Sequence, residues 1–421
     1  MNRPSLQFEA PPRWVGIALV VMCLGVLGFV WWNRLSERYA DEEDYWRIAG
    51  NLVAGNGYAL DAPTAFRPPA WPLLLVPFQL LRLELGTASV ASALCLIAAA
   101  VLAGRLGMLL TRHRLGAIAA LLVLGYPINV YTAGTVYPQM LALLAVVVMW
   151  WYLARAEGSG WRLPWRSGAA LGVAAGVLAL SVPTLAFTAV ALLVVASVPL
   201  WRRGGSVGAV LAAWGSAGLL VGAWVVRNLI TFGEFIPLST STGINLLLGN
   251  NPNATADSGV NVDISHILQR VYSMGLSENG RSDALTREAL AWITANPGDA
   301  VALYLQKMGH YFVAYDAPAS AGRGSLLIAA IAWVSFGALV VFAALRWTPW
   351  VRKRFPVSFS EWTMLVIFVA NAPLMAVFFT RVRFRIPLDA FLCVEAAIGL
   401  LAIGLQLLQA RAGRSNSGNN T

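Results

Sequence analysis

Apolar residues gather along this chain in ten runs, near 14–32, 87–110, 115–134, 136–154, 167–182, 184–200, 207–226, 325–345, 360–379 and 388–409. About twenty apolar residues in a helix cross the hydrocarbon of a bilayer. The pattern therefore predicts an all-α polytopic membrane protein with a bundle of about ten transmembrane helices. Residues 71–81 are apolar but too short to cross, and read as a partly inserted or re-entrant segment. The runs over 167–200 are also short, with Pro183 marking the turn between them.

Two long polar stretches interrupt the runs. In 33–70, four acids (Asp41, Glu42, Glu43, Asp44) open a segment in which Tyr45, Ile48, Ala49, Leu52 and Val53 recur at helical spacing. That is the pattern of an interfacial helix lying in the headgroup plane with its apolar side toward lipid. In 228–324, Leu285, Ala289, Trp292 and Ile293 share a stripe over 282–296 until Pro297-Gly298 breaks it. Asp299 can then cap a second helix carrying Val301, Leu305, Met308 and Phe312. Gly249-Asn250-Asn251-Pro252-Asn253 reads as turns. The expected organisation is a transmembrane core over 1–227 with a functional first outer loop (33–70), and a small α-rich extracytoplasmic insert over 228–324. C-terminal transmembrane helices over 325–410 and a disordered tail over 411–421 follow.

Composition narrows the class. Hydrophobic residues make up 58% and charged residues 12% of the chain, which excludes a soluble protein. The net charge of +10 resembles a polyanion-binding signal, but its distribution argues otherwise. Fifteen basic residues, from Arg3 and Arg13 through Arg112, Arg155 and Arg202 to Arg346, Arg352 and Arg414, fall on alternate loops beside only Glu9 and Glu157. The positive-inside rule makes that side cytoplasmic, with both termini there. The surplus is topology, and no nucleic-acid partner is expected. The first run, ending in Trp31-Trp32, reads as a retained signal anchor. Cys23, Cys95 and Cys393 all sit inside apolar runs, which leaves no disulfide framework and no Cys-based metal site. There is no phosphate loop or dinucleotide fingerprint, so a nucleotide-sugar donor on the inner side is not expected.

One basic cluster runs against the topological grain: Arg381-Val382-Arg383-Phe384-Arg385-Ile386-Pro387, in the last outer loop. Arg67, before Pro68-Pro69, and Arg227-Asn228 fall on the same side. Guanidinium forks suit phosphate, and a carboxylate near them can take a proton from an attacking hydroxyl. Asp41 is the leading base; its alternative is an N-cap, with Asp44 at the third helical position. Glu43 and Asp44 read as solvated remainder. The arginines have a plainer alternative too, as anchors to lipid headgroups or partners of the acidic cluster.

Several motifs in order resemble one family. They are Asp41-Glu42-x-x-Tyr45 with Gly55-x-Gly57-Tyr58, then Arg67-Pro68-Pro69, then Trp224-x-x-Arg227-Asn228. Gly243-x-Asn245, Gly249-Asn250-Asn251, Asn296-Pro297 with Lys307, and Arg383-x-Arg385-x-Pro387 follow. Together they resemble the membrane-embedded GT-C glycosyltransferases, bacterial family 39, of the protein O-mannosyltransferase and aminoarabinose-lipid A transferase type. The resemblance implies a GT-C-like bundle and an inverting transfer from a polyprenyl-phosphate sugar donor, outside a bacterial cytoplasmic membrane. The acceptor would be a glycan such as lipopolysaccharide, a lipid or a protein. It implies Asp41 as catalytic base with Glu42 supporting it, and Arg67, Arg227, Arg383 and Arg385 at the donor phosphate. Tyr45, Tyr58, Asn245 and Asn250 would contact substrate. Two positions depart from the family: Phe66 stands where lipid A relatives carry a metal-binding glutamate, and Pro138-Gln139 where many carry an acid. With His266 and His310 the only outer histidines, no ligand set is assigned and a divalent metal is left open. The competing readings are a flippase or transporter of a polyprenyl-linked glycan and a non-catalytic lipid-binding scaffold.

Overall fold

The computed structural model describes residues 10–36, 39–316 and 326–418. Arg3, Glu9, the end of the expected insert (317–324) and residue 325 lie outside them. In chain order the helices are α1 (Arg13–Asn33), α2 (Ala40–Val53), α3 (Ala70–Leu80), α4 (Ser89–Thr111), α5 (Ile118–Gly125) and α6 (Pro127–Ala133). Next come α7 (Gln139–Gly158), α8 (Trp165–Ser181), α9 (Ala186–Arg202), α10 (Val207–Phe232), α11 (Thr242–Gly249) and α12 (Ser265–Ser273). The chain ends with α13 (Glu278–Ala295), α14 (Pro297–His310), α15 (Leu326–Arg346), α16 (Pro349–Arg354), α17 (Phe359–Ala376) and α18 (Val382–Gly418). Among the described residues β pairing amounts to one isolated bridge, Ala59 to Pro63.

Eight of the described helices are long and apolar enough to cross a membrane, and a helix pair bent by 56° between Gly125 and Pro127 is a broken span or a re-entrant loop. Proline explains the bend. Pro127 opens α6 and forces Tyr126 into extended backbone, which ends α5. Asn129 Nδ2 donates to the Val123 carbonyl at 2.9 Å and satisfies an acceptor freed by the break. The remaining expected span, α8, is apolar but only 17 residues long. It packs on α10 through Gly168 and Gly172, where an added Cβ would lie 2.1 and 2.0 Å from the carbonyl oxygens of Ala209 and Ala213. Small residues at four-residue spacing let the two backbones touch.

The core is built from α4, α5, α7, α9, α17 and α18, with Leu96, Leu143, Trp150, Leu192, Met364 and Phe391 buried in one cluster. The outward faces stay apolar: Val20 and Leu24 on α1, Leu219 and Ile230 on α10, and Val334 on α15 are all exposed. Such a chain hides polar groups inside helices and turns oil outward, the arrangement a bilayer requires.

Four expectations change here. Arg346, counted above as an inner-side loop charge, is fully buried. It donates to Glu361 at 2.8 and 2.5 Å and to the Phe355 carbonyl, tying down the turn before α17. Glu157, read as a loop acid, accepts from the first N–H groups of α17, at Phe359 and Ser360. Asp389 and Glu395 lie buried within α18, so ionisable groups do not all gather at one end of the bundle. The final helix also starts at Val382 and continues to Gly418, through most of the segment expected to be a disordered tail.

Candidate active site

Asp41 sits in the first turn of α2. Tyr39 occupies the N-cap in extended conformation without a side-chain cap, so Asp41 is not the N-cap considered above. Its carboxylate points instead at groups from three distant segments. Arg67 Nη2 donates to Oδ1 at 2.5 Å, Tyr137 Oη to Oδ2 at 3.2 Å, and Arg383 Nη1 to Oδ2 at 3.3 Å. Burial would raise the Asp41 carboxyl, but the charges of Arg67 and Arg383, with the hydrogen bonds from Arg67 and Tyr137, hold it below the usual carboxylate range. Asp41 is therefore ionised at neutral pH.

Arg67 carries a second acid. Its Nη2 and Nε donate to Asp44 Oδ2 at 2.8 and 3.1 Å, so Asp44 is part of the cluster and not solvated remainder. Spacing explains it: Asp41 and Asp44 are three apart on a helix and share one face, while Glu43 points to solvent. The Arg67 guanidinium also lies near the faces of Tyr45 and Phe66, 5.3 and 4.8 Å from their centroids. Arg383 lies over Tyr137, 5.5 Å from its centroid. Its Nε is buried with no hydrogen-bond partner, and about a third of its side chain (32%) is exposed.

Most of the apolar face of α2 is covered by protein, with Val53 at its end exposed. Tyr45 and Ala49 pack on Trp71 and Leu75 of α3, and Ile48 on Tyr58, Ala65 and Trp224. The stripe has a covering layer of protein that helical periodicity alone does not reveal. Residues 58–67, which deliver Arg67, are held at several points. Tyr58 Oη donates to the Arg67 carbonyl at 2.8 Å, and Arg227 donates to the carbonyls of Tyr58 and Thr64 at 2.7 and 2.8 Å. Arg227 and Tyr58 thus support the loop and do not touch Asp41.

The other expected site residues scatter. Glu42 is buried and accepts from the Val136 N–H at 2.9 Å, fixing the turn that carries Tyr137. Arg385 is fully buried and faces away. It donates to Asp389 at 2.9 Å and to the carbonyls of Tyr311 and Val313. The reason is the helix: residues two apart are rotated by roughly 200°, so Arg383 and Arg385 face opposite sides. Asn250 bonds the carbonyls of Leu246 and Val377 and accepts from Lys307 Nζ at 3.2 Å. Lys307 is buried too, and burial pushes its amine down to about 8. Asn245 is half-buried on α11. In the segment between α10 and α15, the expected stripe is displaced: Val301 and Leu305 are exposed, and α14 buries Ala300, Leu303 and Lys307 instead. Asp299 lies inside the first turn of α14, which Asn296 precedes as N-cap without a side-chain bond.

Tyr137 and Asp44 were missed. The signal for Tyr137 was its place just before Pro138 at the start of a span. As to a metal, no group of three or more His, Cys, Asp and Glu side chains comes together among the described residues. The two carboxylates that meet here both face arginines, and Phe66 and Gln139 offer no anionic ligand. This donor set does not fit a resident divalent ion. What it fits is one anionic group between Arg67 and Arg383, with a carboxylate beside it.

An all-helical bundle with eight described helices long and apolar enough to cross a membrane is that of a polytopic membrane protein. Two solved structures share the fold. One is the archaeal oligosaccharyltransferase AglB from Archaeoglobus fulgidus in complex with an inhibitory peptide and a dolichol-phosphate (15% identity, TM-score 0.56). The other is the Archaeoglobus fulgidus oligosaccharyltransferase in its apo form (16% identity, TM-score 0.53). Each match takes in 96% of this chain and 52% of the other, so this chain spans about half their length. No family model matches the chain, and no curated protein does.

Proposed function

We propose that this protein is a GT-C glycosyltransferase that moves a sugar from a polyprenyl-phosphate donor to an acceptor hydroxyl by direct displacement with inversion. The observation that carries the reading is the meeting of Asp41 with Arg67 and Arg383, on a fold shared with a protein solved with dolichol-phosphate. In the proposed reaction Arg67 and Arg383 hold the donor phosphate through their guanidinium groups. The acceptor oxygen bonds to the anomeric carbon as the bond from that carbon to the phosphate oxygen breaks. The electron pair leaves with the phosphate, whose growing charge the arginines stabilise. The acceptor proton passes to Asp41. The site would face the exterior of a bacterial cytoplasmic membrane, with both termini inside, as the loop charges imply.

The test is Asp41→Asn, purified in lipid and given a panel of prenyl-phosphate sugars. The expected result is an intact fold with transfer nearly abolished; normal turnover by that variant ends the assignment. A second reading, a carrier of a polyprenyl-linked glycan, draws on Asp389 and Glu395 inside α18. It predicts lipid crossing vesicle membranes without any sugar transfer.

A further inference from the structure

We propose that Glu278 and Asp316, two acids between α10 and α15, are positioning residues that set the gap between Arg67 and Arg383; this rests on the reading of those arginines as the donor-phosphate site. Each acid grips main chain beside one arginine. Glu278, at the start of α13, accepts from the Ala65 N–H at 2.8 Å, Thr64 Oγ1 at 2.7 Å and Thr240 Oγ1 at 2.6 Å. Thr64 Oγ1 passes the constraint on, accepting from the Phe66 N–H at 3.0 Å, one residue before Arg67. Residues 239–240 complete the frame: Ser239 donates to the Phe66 carbonyl and the Thr240 N–H to the Ala65 carbonyl.

Asp316 does the same for the other arginine. Its Oδ2 accepts from the Val382 N–H at 2.6 Å, the first N–H of α18 and one residue before Arg383. Arg381 Nε lies 3.4 Å from the same oxygen, and His310 Nε2 lies 2.8 Å from Oδ1. An acid at a helix N-terminus is stabilised by the unpaired N–H groups and the positive end of the dipole. Here the acid comes from elsewhere in the chain, so it fixes where α18 begins and which way Arg383 points.

Glu278 spends its carboxylate on three neutral donors, and no Lys or Arg pairs with it among the described residues. A carboxylate held by neutral donors from two loops locks those loops together, since each charge-assisted bond is shorter and stronger than a neutral one. The two arms of the phosphate site, 316 positions apart in sequence, are thus braced by one intervening segment.

The test uses the full chain in lipid nanodiscs, with Glu278→Ala, Glu278→Gln, Asp316→Ala and Asp316→Asn. Donor and acceptor KM are measured, with hydrogen exchange of 58–67 and 381–388 and binding of a short-chain polyprenyl phosphate that carries no sugar. Each alanine variant is expected to raise donor KM and weaken prenyl-phosphate binding about tenfold, the scale of one charge-assisted hydrogen bond. Acceptor KM stays unchanged, exchange quickens in the matching segment, and the amide variants, which keep one acceptor oxygen, recover most of the loss. Unchanged donor KM and prenyl-phosphate binding, or an equal rise in acceptor KM, overturns the proposal. Should an alanine variant not fold, its amide counterpart carries the test through a smaller loss of the same kind. If the wild type transfers no sugar to any acceptor, the glycosyltransferase reading fails by itself, and prenyl-phosphate binding by the variants still decides the positioning claim.

Discussion

Replacing Arg383 with glutamine should alter the pH profile of transfer as well as its rate. Arg383 Nη1 lies 3.3 Å from Asp41 Oδ2, with the two side chains 32% and 29% exposed. Two unit charges about 4 Å apart attract by about 4 kcal/mol at an effective dielectric of about 20. Partial exposure reduces a measured contribution to about 1 kcal/mol. Asp41 serves as a base only when ionised, so activity falls as the pH drops through its pKa. Arg383 helps hold that pKa below the usual carboxylate range; without it the pKa rises and the acid limb of kcat/KM moves to higher pH. In addition, losing one charged hydrogen bond to the donor phosphate, about 1.5–3 kcal/mol, should lower donor kcat/KM by roughly 10- to 150-fold near neutral pH. The assay is transfer from a labelled prenyl-phosphate sugar between about pH 2.5 and about pH 8, a range that starts below the ordinary aspartate pKa of about 3.9. An acid limb that stays put or moves down, while donor KM rises, would show that Arg383 does not act on Asp41.

Two contrasting substitutions probe the frame around the site. Arg385→Ala leaves Asp389 buried without its partner and should cost about 3–5 kcal/mol of stability. Thermal unfolding in detergent should drop sharply, while the folded fraction keeps the wild-type donor KM; a specific rise in donor KM would return Arg385 to the phosphate site. Gly249→Ala would place a Cβ 2.4 Å from the Phe378 carbonyl carbon. Such overpacking costs about 1–3 kcal/mol, and an unchanged melting temperature would mean that the backbones separate freely there.

The spans were legible because runs of apolar residues report membrane crossing directly, whatever their packing. Pattern was weaker wherever the partner surface mattered. The stripe on α2 announced a helix, but nothing in Tyr45, Ile48 and Ala49 told whether lipid or α3 would cover it. Arg381 to Pro387 was read as the last outer loop because it falls between the apolar runs 360–379 and 388–409. The structure instead starts α18 at Val382 and carries Pro387 inside it, at the cost of one backbone hydrogen bond. That one difference separates Arg383 from Arg385. Arg346 looked like a topological charge since its partner Glu361 lies beyond a turn, and Glu278 gave no sign because its acceptors serve a loop 213 positions away. The acid and the two arginines of the candidate site could be picked out for another reason: Asp41 opens a run of four acids, and Arg67 and Arg383 fall on the side opposite the fifteen loop cations.

Charge balance links the resting arrangement to the proposed chemistry. Asp41 and Asp44 together offset Arg67 and Arg383, which leaves the cluster near neutral. A prenyl-phosphate sugar brings one more negative charge, and its phosphate competes with Asp41 for the same guanidinium groups. Asp44 meets Arg67 through both Nε and Nη2, so Arg67 stays anchored when its contact with Asp41 loosens. The carboxylate that loses its cations is then the one placed to act as base, and its affinity for a proton rises when donor arrives. Until that moment Asp41 is a poor base, held low by the arginines that later hold the phosphate. The same pairs that keep buried charges satisfied without donor would thus delay proton transfer until donor is bound.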